Sequence, residues 1–422
     1  MPGLLYPAYQ KFYSALRNLE RFDKEADFFD NVSCLDGFFS EYRNVTFVIQ
    51  SQLKHTKHFV LYERARDAYL KDHWFVEKRN ETIKQIPFQL VKSITLTMYS
   101  PSDEIVVSER EFTVDDDVPL DSLKDQIAAA FSLSPFPEVF FSTTYSFHEL
   151  GSDVDLLKKL LDGISSMRDF LEEMDRGVGE ECERCEELKA RSENLIQILR
   201  LPRDFLLTDD YVFYKPDGRF EKADRLTLLG PNGGKFVRHR PLSDLTKANH
   251  FNFNGTAFGT FSLMHALMRA IRPGMDIMPA ILIVYDDETY DLDAFHASIK
   301  TTMYRKLNEA AKTVMQGGVS EVCYESLYIV LDTTQNIPAY HSERMTASSS
   351  DVLVVASVDK QLSEKEYVFD GTKLECPEYV AAMMRDDLQR QLHVSRCNLS
   401  PVLRAFATVA DNRKVSDCRH IH

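Results

Sequence analysis

The sequence predicts an α+β protein: a helical bundle over residues 1–200 with a β-rich insertion near 90–147, then a mixed α/β domain over residues 201–422. Three observations carry this reading. Apolar residues recur at helical spacing through most of the first 90 residues and again from about Asp153 to Leu199. Between those stretches the period shortens to the alternation of strands, with many β-branched residues. Beyond residue 201, apolar runs of buried-strand length mix with amphipathic helical runs. A chain of 422 residues has room for two or three domains and an ample core.

Taken in order, Tyr9 to Phe22 places Phe12, Leu16, Leu19 and Phe22 on one helical face. Leu35 to Leu53 continues with Phe38, Phe39, Tyr42, Thr46, Phe47 and Ile49 as its apolar face. Helical patterns follow over His58 to Lys71 and Asp72 to Lys84, and Pro87 stops the second. Leu90 to Met98 and Glu104 to Val114 form a hairpin pattern with an acidic edge. Val118 to Ala130 suits a short helix and Glu138 to Phe147 a strand. Asp153 to Met174 and Glu180 to Leu199 return to the helical period and complete the bundle. In the second half, Tyr211 to Tyr214 and Arg225 to Leu229 are β-rich, and Phe261 to Ile271 is an apolar helix ended by Pro273-Gly274. Ala280 to Tyr285, Leu327 to Leu331 and Val352 to Val358 are strands. Asp293 to Met315 is an amphipathic helix closed by Gly317-Gly318, and Asn336 to Ser350 is a polar loop. The second domain is α/β or α+β, with no strand order implied.

Composition narrows the function. With 65 acidic and 50 basic residues the net charge is −15, which argues against a dedicated duplex-DNA binder but leaves room for a small local RNA site. No apolar run approaches the roughly 20 residues that span a bilayer, and the first residues lack the pattern of an export signal. Seven scattered cysteines fit reduced thiols, so a cytoplasmic location without membrane association is expected.

Several motifs resolve into ordinary structure. Leu228 to Lys235 imitates a phosphate loop, but only three residues separate Gly230 from Gly234-Lys235, and Phe236 stands where a hydroxyl should reach magnesium. The glycines read as a turn before a Val-Arg-His-Arg-Pro strand. Ile281 to Glu288 resembles a metal-holding strand end, which is a common ending of buried strands. Cys182 and Cys185 lie one turn apart in an acidic helix without the second ligand pair a structural zinc needs. His55 and His58 also lack partners, so no metal or cofactor is expected.

Phe75-Val-Glu-Lys-Arg-Asn-Glu-Thr-Ile-Lys84, with Phe38 to Gln50 upstream, resembles the HEPN superfamily of helical-bundle proteins, many of which are RNA-cleaving toxins or defence effectors. The resemblance covers roughly the first 90 residues and extends to about 200 with the later helices. The family motif is an arginine, often followed by Asn or Asp, then four to six residues and a histidine. Arg79-Asn80 supplies its start, and Lys84 stands about where the histidine belongs. Arg66-Asp67 followed by His73 fits the spacing better, with six residues between Arg66 and His73. On one unbroken helix those two side chains would fall within roughly 20° of each other and could reach one phosphate. The resemblance implies an HEPN-like bundle, metal-independent RNA cleavage in stress response or phage defence, an RNA substrate and a homodimer. The catalytic set it implies is Arg79, Asn80, Arg66, His73 and Lys84. Histidine would shuttle a proton during attack by the RNA's own 2′-hydroxyl, and arginine would stabilise the developing charge. The alternative is a catalytically silent scaffold of the same type that binds a protein partner or nucleotide. A solvated helix face accounts for Arg66 and His73, and a polar cluster pinning two helices accounts for Arg79-Asn80, under that alternative. No motif in the C-terminal half supports a metabolic enzyme.

Overall fold

The computed structural model describes residues 3–24, 26, 28–84, 86–114, 136–200, 207–224, 237–248, 257–259, 261–262, 278–330, 338, 340, 343–344, 350–373, 376, 378–379 and 399–419. It is an α+β protein in which N-terminal helices precede two antiparallel sheets. Four helices open the chain: α1 (Tyr6–Glu20), α2 (Phe28–Leu53), α3 (Phe59–Tyr69) and α4 (Trp74–Ile83). Strands β1 (Leu90–Tyr99), β2 (Val106–Val114) and β3 (Glu138–Glu149) follow, then helices α5 (Leu156–Val178) and α6 (Glu183–Arg200). Strands β4 (Thr208–Tyr214) and β5 (Arg219–Lys222) close the first sheet, whose order is β2-β1-β3-β4-β5.

The second sheet contains β6 (Val237–Pro241), β7 (Ala280–Tyr285), β8 (Thr289–Ala294), β9 (Val319–Val330), β10 (Ser350–Asp359) and β11 (Glu364–Asp370). Its order is β11-β10-β9-β7-β8-β6. Helix α7 (Leu242–Ala248) follows β6, α8 (Lys300–Gln316) follows β8, and α9 (Ser400–Arg419) comes last. Adjacent strands in this sheet pair antiparallel, and β7–β8 and β10–β11 are hairpins. Of α/β and α+β, that pairing selects α+β, because parallel strands would need helical crossovers.

Several boundaries moved, and α2, expected from Leu35, begins at Phe28. The helix expected from Asp293 begins only at Lys300, because Thr289–Ala294 pairs with β7 as β8. Its expected stop is in place, with Gly317 at φ 92° and Gly318 at φ 78°, backbone angles that glycine adopts without strain. The strand expected over Leu327 to Leu331 starts at Val319, eight residues earlier. The segments at 118–130, 225–229 and 263–271, the imitation phosphate loop over 228–235, and most of 336–349 lie outside the described residues.

The chain divides into two compact units. Met1–Leu96, Arg110–Ile127 and Thr143–Asp209 make the first; Thr97–Glu109, Ala128–Ser142 and Asp210–His422 make the second. In the first, α1 buries Ala8, Phe12, Leu16 and Leu19, and α2 buries Leu35, Phe38, Phe39, Val45 and Ile49. Each fully buried Leu or Phe contributes about 1.5–3 kcal/mol relative to exposure. Helix α5 is capped by Asp155, which accepts from the Lys158 N–H at 2.8 Å, and ends on left-handed Gly179. Gly163 of α5 lets the Phe75 ring approach so closely that a Cβ there would meet its Cζ at 2.0 Å. Lys24 and Asp209 form a buried ion pair at 2.5 Å in the same unit.

In the second unit, successive strand residues serve opposite faces of the sheet. Leu282, Leu353 and Val355 pack with Phe258, Phe261 and Phe369. Ile281, Val322, Ala356 and Val358 pack with Leu307 and Val314 of α8 and Val402 and Phe406 of α9. Asp286 and Asp287, which resembled a metal-holding strand end, form the β7–β8 turn: Asp286 pairs with Lys360 at 2.7 Å and Asp287 accepts from the Thr289 N–H and hydroxyl. Among the described residues no cluster of His, Cys, Asp and Glu could hold a metal, and no helix is long and apolar enough to cross a membrane.

Candidate functional site

Within the first unit, α2, α3, α4, α5 and the α3–α4 connection enclose a cleft of about 810 Å³. Helix α2 contributes Tyr42, Arg43 and Thr46, and α3 contributes Arg66, Asp67 and Tyr69. The connection adds Leu70, Lys71, Asp72 and His73, and α5 adds Lys159, Asp162, Gly163 and Ser166. The wall behind them is aromatic: Tyr42 stacks on Phe75 at 4.7 Å and donates its hydroxyl to the Gly163 carbonyl at 2.8 Å. Burial holds the Tyr42 phenol far above its ordinary value, so it stays neutral.

Arg66 and His73 therefore line one cleft, though not by the route the sequence suggested. The seven-residue argument required an unbroken helix. Helix α3 ends at Tyr69, where the Leu70 N–H donates to the Arg66 carbonyl at 2.9 Å, and α4 starts only at Trp74. Asp72 breaks the run: its Oδ1 accepts from the Trp74 N–H at 3.0 Å, a side-chain competitor for helical hydrogen bonding. The His73 carbonyl then accepts from Val76 and Glu77, which starts α4 and leaves the imidazole exposed. Arg66 is 40% exposed, and its guanidinium donates twice to Asp67 Oδ1, at 2.9 and 2.7 Å. That hydrogen bond, helped by the Asp67 charge, outweighs burial and raises Arg66 above its ordinary value.

Four cations, Arg43, Arg66, Lys71 and Lys159, face three carboxylates, Asp67, Asp72 and Asp162, so the cleft is locally positive in a chain of net charge −15. Lys159 lies 3.8 Å from Asp72 and 4.5 Å from the Trp74 ring centroid. Burial lowers Arg43; Tyr62 pulls it the other way, and nearby Arg79 and Arg66 lower it further.

Arg79, Asn80 and Lys84 are not among the cleft-lining residues. Arg79 is half-buried on α4 with its guanidinium 5.0 Å from the Phe47 ring centroid. Asn80 and Lys84 are exposed, and the Asn80 carbonyl accepts from the Lys84 N–H at 3.2 Å. Neighbouring Lys78 is structural: burial works to lower it, but hydrogen bonds to Glu149 and Glu81 prevail and raise it. Sequence reasoning missed Arg43, Phe47, Lys71 and Lys159. Phe47 was assigned to the apolar face of α2; it is 39% exposed, whereas Phe38, Phe39, Tyr42, Thr46 and Ile49 are buried. The cysteine pair is also local structure, with the Cys185 N–H donating to the Cys182 carbonyl at 2.9 Å and the Gly3 N–H donating to the Cys182 sulfur at 3.4 Å.

Comparison of the chain with protein-family models, with curated proteins and with solved structures finds no match.

Proposed function

We propose that this cleft binds RNA and cleaves it without a metal, with Arg66 and His73 as the reacting pair. The observation that supports this reading is the convergence of Arg66 and His73 on one locally positive cleft despite the helix break between them. His73 is exposed to incoming substrate and accepts the proton of the 2′-hydroxyl. The 2′-oxygen attacks the adjacent phosphorus, and the 5′-oxygen leaves with a proton from water. Products are a 2′,3′-cyclic phosphate and a 5′-hydroxyl. Arg66 and Arg43 stabilise the negative charge that builds on the non-bridging oxygens. In this reading Arg79 binds rather than reacts, and Asn80 and Lys84 are dispensable. Cleavage therefore persists in a chelator. His73→Ala slows it about 10²–10⁴-fold, and Arg66→Ala about 10²–10³-fold. Asn80→Ala and Lys84→Ala cut as the parent does. Cleavage at parental rate by folded His73→Ala and Arg66→Ala would overturn the assignment.

A second reading, a silent RNA-binding or partner-binding scaffold, is favoured by one observation. Asp67 already occupies the Arg66 guanidinium. Tight RNA binding with no cleavage under any ionic condition would select it.

A further inference from the structure

Beside the cleft, the two arginines that flank Phe47 carry an inference that deepens the RNA reading and rests on it. We propose that Arg43, Phe47 and Arg79 form a docking shelf for one nucleotide of single-stranded RNA, with a phosphodiester held by the two guanidiniums and a base on the flat surface they share with the ring. Arg43 and Phe47 sit four residues apart on α2 and so present to one face. The Arg43 Cζ is 4.4 Å from the Phe47 centroid and the Arg79 Cζ of α4 is 5.0 Å from it. Phe47 is 39% exposed where Thr46 and Ile49 beside it are buried, so part of its ring is open to a ligand.

The charges are arranged for an absent anion. Several arginines elsewhere in this unit are paired, Arg64 with Glu173, Arg168 with Asp169, Arg176 with Glu173 and Arg191 with Glu187, each by itself rather than beside a second guanidinium on one ring. Among the described residues no carboxylate lies within ion-pairing distance of Arg43 or Arg79. Arg43 donates to the Thr46 hydroxyl, which offers no charge. Two guanidiniums on one aromatic ring repel each other, and a phosphate between them reverses the sign of that interaction. Guanidinium planes and aromatic rings are also the surfaces on which unpaired bases stack, and a base inside a duplex cannot reach them. Two guanidiniums about a single ring match one phosphodiester and one base, which sets the proposed footprint at one nucleotide. Arg43 also lines the cleft, so the shelf delivers the adjoining phosphodiester towards Arg66 and His73.

The test is fluorescence anisotropy with a 2′-O-methyl oligoadenylate, which lacks the attacking hydroxyl, as a single strand and in a duplex. Cleavage of ordinary RNA is followed in parallel. The parent binds the single strand more tightly than the duplex. Phe47→Ala weakens single-strand binding about five- to a hundredfold, Phe47→Tyr restores it to within about twofold, and Arg79→Gln weakens it while reducing its salt dependence. Circular dichroism confirms that each variant folds. If the parent binds but Phe47→Ala and Arg79→Gln bind equally well, the shelf is overturned while the cleft reading survives. Weaker binding by Phe47→Ala in a parent that cuts no RNA keeps the shelf and discards cleavage. No binding of the single strand by the parent overturns both.

Discussion

Arg305 in the second unit is buried and Arg43 in the first is half-buried, and the charges around them differ. Arg305 is 8% exposed and fully matched: it donates to both Asp210 oxygens at 3.0–3.2 Å and to Glu309 at 2.7 Å. Ser142 adds a hydrogen bond to Asp210 at 2.6 Å, and Lys306 takes the other Glu309 oxygen at 2.8 Å. Burial opposes the charge on Arg305, but the two carboxylates outweigh it and raise its affinity for the proton. Arg43 is also lowered by burial, but its charged neighbours Arg79 and Arg66 share its sign. A matched buried network leaves no work for a ligand and serves the fold. A like-charged cluster at a cleft edge is incomplete until an anion arrives. Under the proposed reading, the first arrangement serves the fold and the second binds.

The largest expected effect tests that contrast. Arg305→Ala leaves the buried Asp210 carboxylate without its cation and lowers unfolding free energy by about 3–5 kcal/mol, read from urea melts at pH 7. Arg43→Gln and Arg79→Gln change it by about 0.5 kcal/mol or less. Equal losses at Arg43 and Arg305 would break the comparison. Next is Gly163→Ala: a methyl group there collides with the Phe75 ring. Repacking costs about 1–3 kcal/mol and misplaces the wall behind Arg66 and His73, so RNA cleavage falls along with the melting temperature.

A smaller effect concerns Glu104, at the β1–β2 turn in the second unit, where φ is 63°. Burial raises its carboxyl from 4.5 to about 7, with Lys300 opposing and Asp103 reinforcing. A carboxyl whose folded pKa is raised favours folding when protonated. Its contribution is fully present below about pH 4.5 and is lost as pH rises to about 7. Glu104→Gln therefore stabilises the protein at pH 8 by about 1–3 kcal/mol, and the gain vanishes near pH 4; a pH-independent difference would contradict this. The smallest effect is at Asp67. Its pair with Arg66 is solvent-exposed, so Asp67→Asn alters stability by less than about 1 kcal/mol while freeing Arg66 for phosphate. RNA affinity rises modestly, which calorimetry can measure.

The helices of the first unit were legible because their buried residues obey one period: Phe12, Leu16 and Leu19, or Phe38, Tyr42 and Ile49, sit on single faces. Phe47 was misread because it follows Thr46 by one residue, about 100° around the helix, and composition alone cannot say where an apolar face ends. Strand β8 was missed because Asp291 and Asp293 look like a helix start; in the structure Asp291 accepts from the Tyr285 hydroxyl and the His239 N–H, and Asp293 pairs with Arg238. Helix α9 and strand β11 were also missed. Arg66 and His73 could be singled out by spacing, but the break at Asp72 depends on one side-chain hydrogen bond. Arg43 and Lys159 reach the cleft from α2 and α5, so only the tertiary fold brings them together.

The central claim is that the cleft cuts RNA by means of RNA's own hydroxyl. It is tested most directly with an oligonucleotide carrying 2′-deoxy substitution at a single mapped cleavage position, incubated with the 422-residue protein in excess chelator. The account predicts that cleavage stops at the substituted position, continues at unmodified ones and leaves 2′,3′-cyclic phosphate ends there. Cleavage at the deoxy position, or products ending in a 5′-phosphate, would contradict it.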